Sequence, residues 1–423
     1  MAPLFDYCPE PAMRRNVVNS LVDGMWYCVM TGLALPFVGM FAIRLGASDY
    51  MVGLLTSLPA LLGLLAQLPG AWLAGRSQSL QRLTMASAFL HRIFFLFFAL
   101  IPLLPLRPIA QAWVFVIGYA LANFPGTVCG TAWQAMMGEM FPESLRGQIF
   151  GERNMLTGLV TLVFTALAGW FYDRTNSIFP WNYSITFGIS FFGLMMSLYY
   201  LSKLRELRPA SVHERRRQRA SSLSRIGEVL CHRPFMVFTV GMLVFHFGLH
   251  LPAAVFTIMW VKQLNLPEGW IGNFSVVNGL AAVVVYRWLG RVADRRGNGF
   301  VLFASLIGFL GLPLLYAYAY NPYVIAFLQV LSGFAGAAFN LGLFNTLLGT
   351  APEATRADYI AIFNLLMGIS GFLLPMAGVA LMDMTSVPVV MGASTLMRLL
   401  AVVWLGRTTF RGMRLRQPVA AVQ

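Results

Sequence analysis

Apolar runs long enough to cross a lipid bilayer recur from one end of the chain to the other. A transmembrane helix needs about 20 predominantly apolar residues. Twelve runs of about this length are present, at 17–43, 50–74, 83–105, 110–136, 148–172, 181–203, 234–262, 269–289, 300–320, 323–349, 357–382 and 387–406. Transmembrane β-strands would instead show about ten residues of strict apolar–polar alternation, which none of these runs has. The pattern therefore predicts an all-α polytopic membrane protein with twelve transmembrane helices.

The composition and the absence of certain motifs exclude other classes of protein. Of the 423 residues, 58% are hydrophobic and 11% are charged, whereas a soluble domain carries about 25% charged residues. Neither a Walker-type glycine loop nor an H-E-x-x-H or G-x-S-x-G motif is present. We therefore expect no enzymatic activity, no cofactor and no metal site.

The distribution of basic residues indicates the topology. Lys and Arg accumulate in the cytoplasmic loops of membrane proteins. With both termini in the cytoplasm, and with Arg92 and Arg398 set aside because they lie well inside runs, the basic residues on the outer side are only Arg44, Arg107, Arg174 and Lys262. The net charge of +14 therefore reflects topology and does not indicate a nucleic-acid partner. Arg greatly outnumbers Lys, as in proteins of GC-rich bacteria, and we expect a location in the bacterial inner membrane.

A sequence repeat divides the chain into two halves. The pattern P-E-x-x-R at 142–146 recurs at 352–356, an offset of 210 residues, and the Asn and Gly that follow it keep the same spacing. A long basic stretch separates six runs from six. We predict an N-terminal six-helix bundle at 1–203, a basic cytoplasmic linker at 204–233, and a C-terminal six-helix bundle with a basic tail at 234–423. Parallel six-helix repeats are an architecture of transporters.

Two loop motifs resemble those of the major facilitator superfamily. Residues 290–297, GRVADRRG, are similar to the family pattern G-x-[LV]-A-D-R-x-G, and residues 139–147 are similar to its loop after the fourth helix. After the second helix, Gly75 stands where the family usually has an aspartate. The resemblance covers about residues 17–405. It implies two pseudo-symmetric six-helix bundles and a secondary transporter that moves a small solute by alternating access.

The resemblance also implies a conformational lock on the cytoplasmic side. A carboxylate at the end of one helix can accept from free N–H groups at the start of another and meets the positive end of its dipole. By the family's packing, Asp294 should face the start of the fifth helix, with Arg146 or Arg153 alongside. Arg295 and Arg356 complete this predicted lock. The alternative is that Asp294 only shapes a tight turn.

Polar residues form stripes along four of the predicted helices. A polar group inside the bilayer is costly and tends to face a cavity, and residues three or four apart share one helix face. We predict a substrate cavity lined by Tyr27, Thr31, Asn123, Thr127, Thr131, Gln134, Gln329 and Asn340. In the superfamily, the first, fourth, seventh and tenth helices surround the central cavity. The alternative is that each polar group bonds a neighbouring helix and holds the bundle together.

Asp23 is the one acidic residue clearly inside a predicted span. Burial favours the neutral form of a carboxyl group, which suits a residue that takes up and releases a coupling proton. An ion pair with Arg92 of the third helix would instead keep the carboxylate charged. A third alternative is that Asp23 binds a cationic substrate directly.

His246 and His250 lie four residues apart in the seventh run, so both rings are predicted on one helix face. Histidine titrates near physiological pH, which makes the pair a second candidate for proton coupling or substrate binding. A structural role is an equal alternative, and a metal ion would need more ligands than these two. For Arg398, in the twelfth run, we expect a side chain that extends toward the membrane surface.

The sequence thus predicts a secondary transporter of a small solute, coupled to a proton gradient and working as a monomer in the lipid bilayer. The alternative is a receptor, or an assembly or lipid-handling protein, that shares the fold and does not transport. A drug–proton antiporter is less favoured, because the fourth run has no arginine and residues 157–171 contain no proline, two features of such antiporters. The substrate stays open.

Overall fold

The computed structural model describes residues 11–205, 226–350, 352 and 355–410. Within these residues, it contains no β-strand and twelve helices that are long and apolar enough to cross a membrane. They are α1 (Pro11–Arg44), α2 (Asp49–Arg76), α3 (Leu80–Leu103), α4 (Pro108–Met140), α5 (Glu143–Arg174), α6 (Trp181–Ser202), α7 (Arg233–Gln263), α8 (Glu268–Arg296), α9 (Asn298–Ala317), α10 (Pro322–Thr350), α11 (Arg356–Met384) and α12 (Val387–Thr408). The predicted fold class is confirmed.

Proline interrupts or bends several of these helices, because it has no amide N–H to donate and its ring clashes with the preceding turn. In α1, a 3₁₀ turn at Leu35–Phe37 separates Pro11–Leu33 from Val38–Arg44. The α-helical hydrogen bonding of α7 stops before Pro252, and this helix ends in a π-helical turn, Met259–Gln263. These breaks lie at the same relative place in the two halves, near the end of the first helix of each.

The chain divides into two compact units. The first contains Met1–Ala220 and Pro267–Asn273, and the second contains Ser221–Leu266 and Phe274–Gln423. The first turns of α8 therefore belong to the first unit. Residues 206–225 of the predicted linker and 411–423 of the predicted basic tail lie outside the described residues.

Four helix pairs of the first unit have counterparts in the second. In the first, α1 packs against α5 and α6, and α3 packs against α4 and α6. In the second, α7 packs against α11 and α12, and α9 packs against α10 and α12. This correspondence is what a six-helix repeat in the sequence predicts.

Aromatic side chains fill the core of each unit. In the first, the rings of Phe41, Phe98, Phe115 and Phe187 are buried and meet edge to face. In the second, a larger cluster of buried apolar residues includes Phe245 and joins α7 to α9–α12. Burying a large apolar side chain stabilises a fold by about 1.5–3 kcal/mol in water, but in a membrane close packing is the stronger contribution.

Apolar side chains also cover the outside of both units. Leu68 is 62% exposed, Phe327 is 62% exposed and Val284 is 74% exposed. Contiguous apolar surface of this extent is rare on soluble monomers. It is what lipid-facing helices require.

Candidate functional site

A cavity of about 240 Å³ lies inside the first unit. Residues of α1, α3, α4, α5 and α6 line it, and its polar lining consists mainly of Asp23, His91, Arg92, Arg153 and Ser197. Each of these residues falls within a helix that is long enough to span a membrane. Charged groups at such positions are costly to bury and point to a functional site.

Asp23 of α1 is 4% exposed and makes two polar contacts. Its Oδ1 accepts a hydrogen bond of 2.6 Å from the hydroxyl of Ser197, and its Oδ2 lies 3.7 Å from Nη2 of Arg153. The first distance is typical of a bond to an ionised oxygen, whereas the second is long for a charge-assisted bond. Asp23 is therefore bound tightly by Ser197 and only loosely by Arg153.

Arg153 of α5 is fixed by contacts other than the ion pair. Its Nε donates to the backbone carbonyl of Ser20 at 3.3 Å, and its guanidinium carbon lies 4.5 Å from the ring centre of Trp133. The side chain passes directly over Gly24, where an added Cβ would come within 2.9 Å of Nη2. The absence of a side chain at Gly24 thus allows Arg153 to approach Asp23.

Arg92 of α3 is the second cation of the cavity and is 4% exposed. Its Nη2 donates to the hydroxyl of Ser197 at 2.8 Å, so Ser197 stands between Arg92 and Asp23. Its Nη1 is buried and has no hydrogen-bond acceptor among the described residues. The expected pairing of Asp23 with Arg92 is therefore indirect, and the direct ion pair is with Arg153.

Two further residues shape the cavity. His91 of α3 packs closely against Gly126 of α4, where an added Cβ would lie 3.0 Å from the imidazole Cδ2. Tyr27, which was predicted to line a substrate cavity, lines this one and is 40% exposed. The cavity is therefore bordered by aromatic rings as well as by charges.

The other predicted polar residues of α1 and α4 mostly bond their own helix. Thr31 donates to the carbonyl of Tyr27 at 3.4 Å, and Thr131 donates to that of Thr127 at 2.9 Å. Asn123 likewise donates to the carbonyl of Tyr119 at 2.8 Å.

The stripe on α4 also faces two directions. The side chains of Thr127 and Thr131 lie against Gly63 and Gly70 of α2, whereas Gln134 is exposed. The structure brings none of these three into the cavity described above. Their contacts with α2 match the alternative in which polar groups hold helices together.

In the second unit, the predicted polar residues make separate contacts. Gln329 of α10 accepts hydrogen bonds from Asn278 of α8 through both its carbonyl oxygen, at 3.2 Å, and its Oε1, at 3.1 Å. Asn340 of α10 is exposed.

His246 and His250 do share one face of α7, with ring centres 5.7 Å apart. Nδ1 of His246 lies 2.8 Å from the carbonyl of Met242, and Nδ1 of His250 lies 2.8 Å from the hydroxyl of Ser370 on α11. Among the described residues, no three His, Cys, Asp or Glu side chains are placed to hold a metal ion together.

The residues of the predicted lock have different surroundings. Arg146 donates to the carbonyls of Gly138 and Phe141 and so caps the C-terminal end of α4. Asp294 and Arg295 are exposed near the end of α8. The side chain of Arg356 lies outside the described residues, as does Glu353 of the repeated loop motif.

Arg398 differs from the prediction. It is 4% exposed, and its guanidinium donates to the carbonyl of Gly248, at 3.1 and 3.2 Å, and to that of Phe309, at 2.7 Å. The side chain does not extend toward the membrane surface, because the break between the segments of α9 leaves the carbonyl of Phe309 available inside the unit.

A second buried carboxylate, Glu268, was not singled out by the sequence. Its Oε1 lies 2.5 Å from Nη1 of Arg44 and accepts a hydrogen bond of 3.2 Å from Tyr183. Nη2 of Arg44 donates to the side-chain oxygen of Asn176, and the guanidinium covers the ring of Phe179 at 4.2 Å. Glu268 is 4% exposed.

Sequence reasoning also missed Ser197 and His91. Ser197 belongs to a polar face of α6 that includes Thr186 and Ser190, all of them buried. This spacing could have indicated a second polar helix beside Asp23. Nothing in the spacing of His91 distinguishes it from a residue of the apolar core.

The family follows from a comparison with known sequences. The profile of the Major Facilitator Superfamily matches residues 24–313, which is more than half of the chain. The protein belongs to the Major Facilitator Superfamily. It is therefore an integral, multi-pass membrane protein, as its twelve apolar helices indicate. A comparison with curated proteins found no match.

Solved structures of superfamily members share the fold over nearly the whole chain. A mutant of the nucleoside transporter NupG is 12% identical with a TM-score of 0.71, and the alignment covers 94% of this chain and 99% of NupG. A POT family transporter in complex with 5-aminolevulinic acid is 13% identical with a TM-score of 0.66, covering 95% and 96%. A D-xylose–proton symporter is 14% identical with a TM-score of 0.66, covering 94% and 97%. At these identities, the similarity concerns the fold.

Proposed function

We propose that this protein is a secondary active transporter, which moves a small solute across the membrane by alternating access and is coupled to a proton gradient. The observation that carries the proposal is the cavity of the first unit, in which the buried Asp23 lies between Ser197 and Arg153. The superfamily fold supports a transport function, and one structure of that fold is a D-xylose–proton symporter. The distribution of basic residues supports cytoplasmic termini, and the excess of Arg over Lys supports a bacterial inner membrane.

Asp23 has the surroundings that a coupling residue needs. Burial favours the neutral carboxyl, whereas Arg153 and the hydroxyl of Ser197 favour the carboxylate. Arg92 adds a second positive charge through Ser197. Because these influences oppose each other, a modest rearrangement of Arg153 changes which form is favoured, and a proton can be bound and released in one cycle.

The histidine pair is a second candidate for the same role. His250 links α7 to α11 through Ser370, and His246 packs against the aromatic rings of Phe339 and Phe363. Protonation of a ring that contacts two helices would change how those helices pack. The observed contacts are equally compatible with a structural role.

Solute-driven proton movement tests the proposal. Proteoliposomes that contain a pH-sensitive dye are exposed to nucleosides, sugars, short peptides and small organic anions, and internal pH is recorded. We expect at least one class to drive proton flux that empty liposomes lack. A protein for which every class fails, while its fold is intact by circular dichroism, is not a proton-coupled transporter of such solutes.

The non-transporting alternative makes a different prediction about access. In a transporter, single cysteines placed along the cavity react with impermeant reagents from each side in turn, whereas a receptor exposes them to one side only. Cys231, which is exposed, serves as the topological control and should react only from the cytoplasmic side. Cys8 lies outside the described residues.

A further inference from the structure

The charges of the cavity in the first unit do not balance. Arg92 and Arg153 are two cations, and Asp23 is the only carboxylate among the residues that line the cavity. A guanidinium is charged at every accessible pH and carries five N–H donors. The cavity therefore has an excess of one positive charge and more donors than acceptors.

One of these donors is unsatisfied. Nη1 of Arg92 is buried without an acceptor in the described part of the chain, although Arg92 itself is held in place by Ser197. Buried polar groups are nearly always hydrogen-bonded, and one that is not calls for an explanation such as a ligand site. A guanidinium that is held at one nitrogen, keeps an unpaired donor at the other and lines a cavity is suited to bind an anionic group such as a carboxylate, phosphate or sulfonate once a small rearrangement exposes that donor.

The size and lining of the cavity limit what could bind. Its volume is about 240 Å³. Sites for drug-sized ligands typically measure about 300–1,000 Å³, so this cavity suits a smaller solute. The rings of Tyr27, His91 and Trp133 border it. Aromatic faces next to cations favour a ligand that combines a flat apolar part with a charged group.

We infer that this cavity binds a small organic monoanion, whose charged group is held by Arg92 and Arg153, and that this is the class of the transported substrate. The second part of this inference depends on the proposed transport function. Asp23 helps to orient Arg153 through their direct contact and Arg92 through Ser197. One monoanion neutralises the remaining charge, which explains why the cavity contains two arginines in a part of the chain that crosses the membrane.

Equilibrium binding to the purified full-length protein in detergent tests this inference without any transport. The probe is benzenesulfonate, which is an anion at every accessible pH. Benzenesulfonamide is its neutral counterpart of nearly equal shape, and benzylammonium is a cation of similar size. We expect benzenesulfonate to bind at least about tenfold more tightly than either, as measured by isothermal titration calorimetry.

Substitutions at Arg92 locate the site. Arg92→Gln should weaken benzenesulfonate binding by about tenfold or more, and Arg92→Lys, which keeps the charge, should weaken it less. The matched control is Arg174→Gln, because Arg174 is exposed at the end of α5, and it should bind as the unmodified protein does. If Arg92→Gln does not fold, Arg92→Lys and the comparison of the three probes still decide the question.

Several results would overturn the inference. The first two are equal affinity for the sulfonate and the sulfonamide, and no sulfonate binding up to about 10 mM. The third is unchanged sulfonate binding by a folded Arg92→Gln variant. The fourth is displacement of the probe by phosphatidylglycerol at a concentration lower than that of the probe. The last would identify a lipid headgroup as the ligand. Sulfonate binding without solute-driven proton flux would retain the anion site and reject the transport function. Proton flux driven only by neutral solutes would retain the transport function and reject an organic monoanion as the transported substrate.

Discussion

Asp23 and Glu268 are both buried carboxylates of the first unit, and each is 4% exposed and paired with an arginine. They differ in how completely they are bound. Glu268 lies 2.5 Å from Arg44 and also accepts from Tyr183, whereas Asp23 lies 3.7 Å from Arg153. A close, fully bonded pair stabilises one arrangement, and a loose pair beside a cavity can exchange partners.

The arginines show the same contrast. Arg44 uses its second nitrogen on Asn176 and covers Phe179, and it faces no other cation in the contacts described. Arg153 shares its carboxylate, through Ser197, with Arg92, which keeps a vacant donor. We interpret the Glu268 pair as structural and the Asp23 network as functional.

The largest expected effect concerns the structural pair. Glu268→Gln leaves Arg44 without its carboxylate and should lower the free energy of unfolding by about 2–4 kcal/mol, somewhat less than for a fully buried pair because Arg44 is partly exposed. The thermal unfolding midpoint in detergent measures this. Asp383→Asn, at an exposed acid, is the control. A midpoint equal to that of the control would refute the distinction between the two carboxylates.

An intermediate effect is expected from Gly24→Ala. The added Cβ would meet Nη2 of Arg153 and Cγ2 of Thr157, both at 2.9 Å, so Arg153 must move from Asp23 at a cost of about 1–3 kcal/mol. We expect a clear loss of solute-driven proton flux. The control is Gly158→Ala on α5, since nothing lies within 4 Å of its added Cβ. Equal flux in both variants would show that the position of Arg153 is unimportant.

The smallest effect on the free energy of unfolding should come from removing single hydroxyl groups. Tyr183→Phe removes one hydrogen bond to Glu268, which keeps Arg44, and should cost about 1 kcal/mol with little change in flux. Ser197→Ala should cost about as much in stability but reduce flux strongly, because it disconnects Arg92 from Asp23. The thermal unfolding midpoint and the proton flux are measured for both variants. If the loss of flux relative to the loss of stability were the same in both, the distinction between the two carboxylates would be contradicted.

Much of the fold follows from local sequence patterns. Each predicted run corresponds to a helix, because the need to satisfy backbone hydrogen bonds in lipid leaves few alternatives. The helices extend past the apolar runs, as when α8 continues to Arg296 and α5 begins at Glu143. Charged residues at these ends lower the local hydropathy, so hydropathy alone does not locate the ends of the helices.

The candidate site was predicted only in part. Asp23 stood out because a lone acid in an apolar run is costly, but its direct partner is Arg153, which the family resemblance had placed in a lock. The partners depend on how α5 and α6 pack against α1, and on Gly24, which admits the guanidinium. Spacing within one helix contains no information about such contacts between helices.

The most direct test compares proton flux with solute exchange in Asp23→Asn. Using the solute that gives the largest proton flux with the unmodified protein, both are measured in the same proteoliposomes, with Asp383→Asn as the control. The account predicts that Asp23→Asn retains exchange of labelled for unlabelled solute and loses the proton flux. If the variant kept a normal proton flux, Asp23 would not be the coupling residue and the central claim would be wrong.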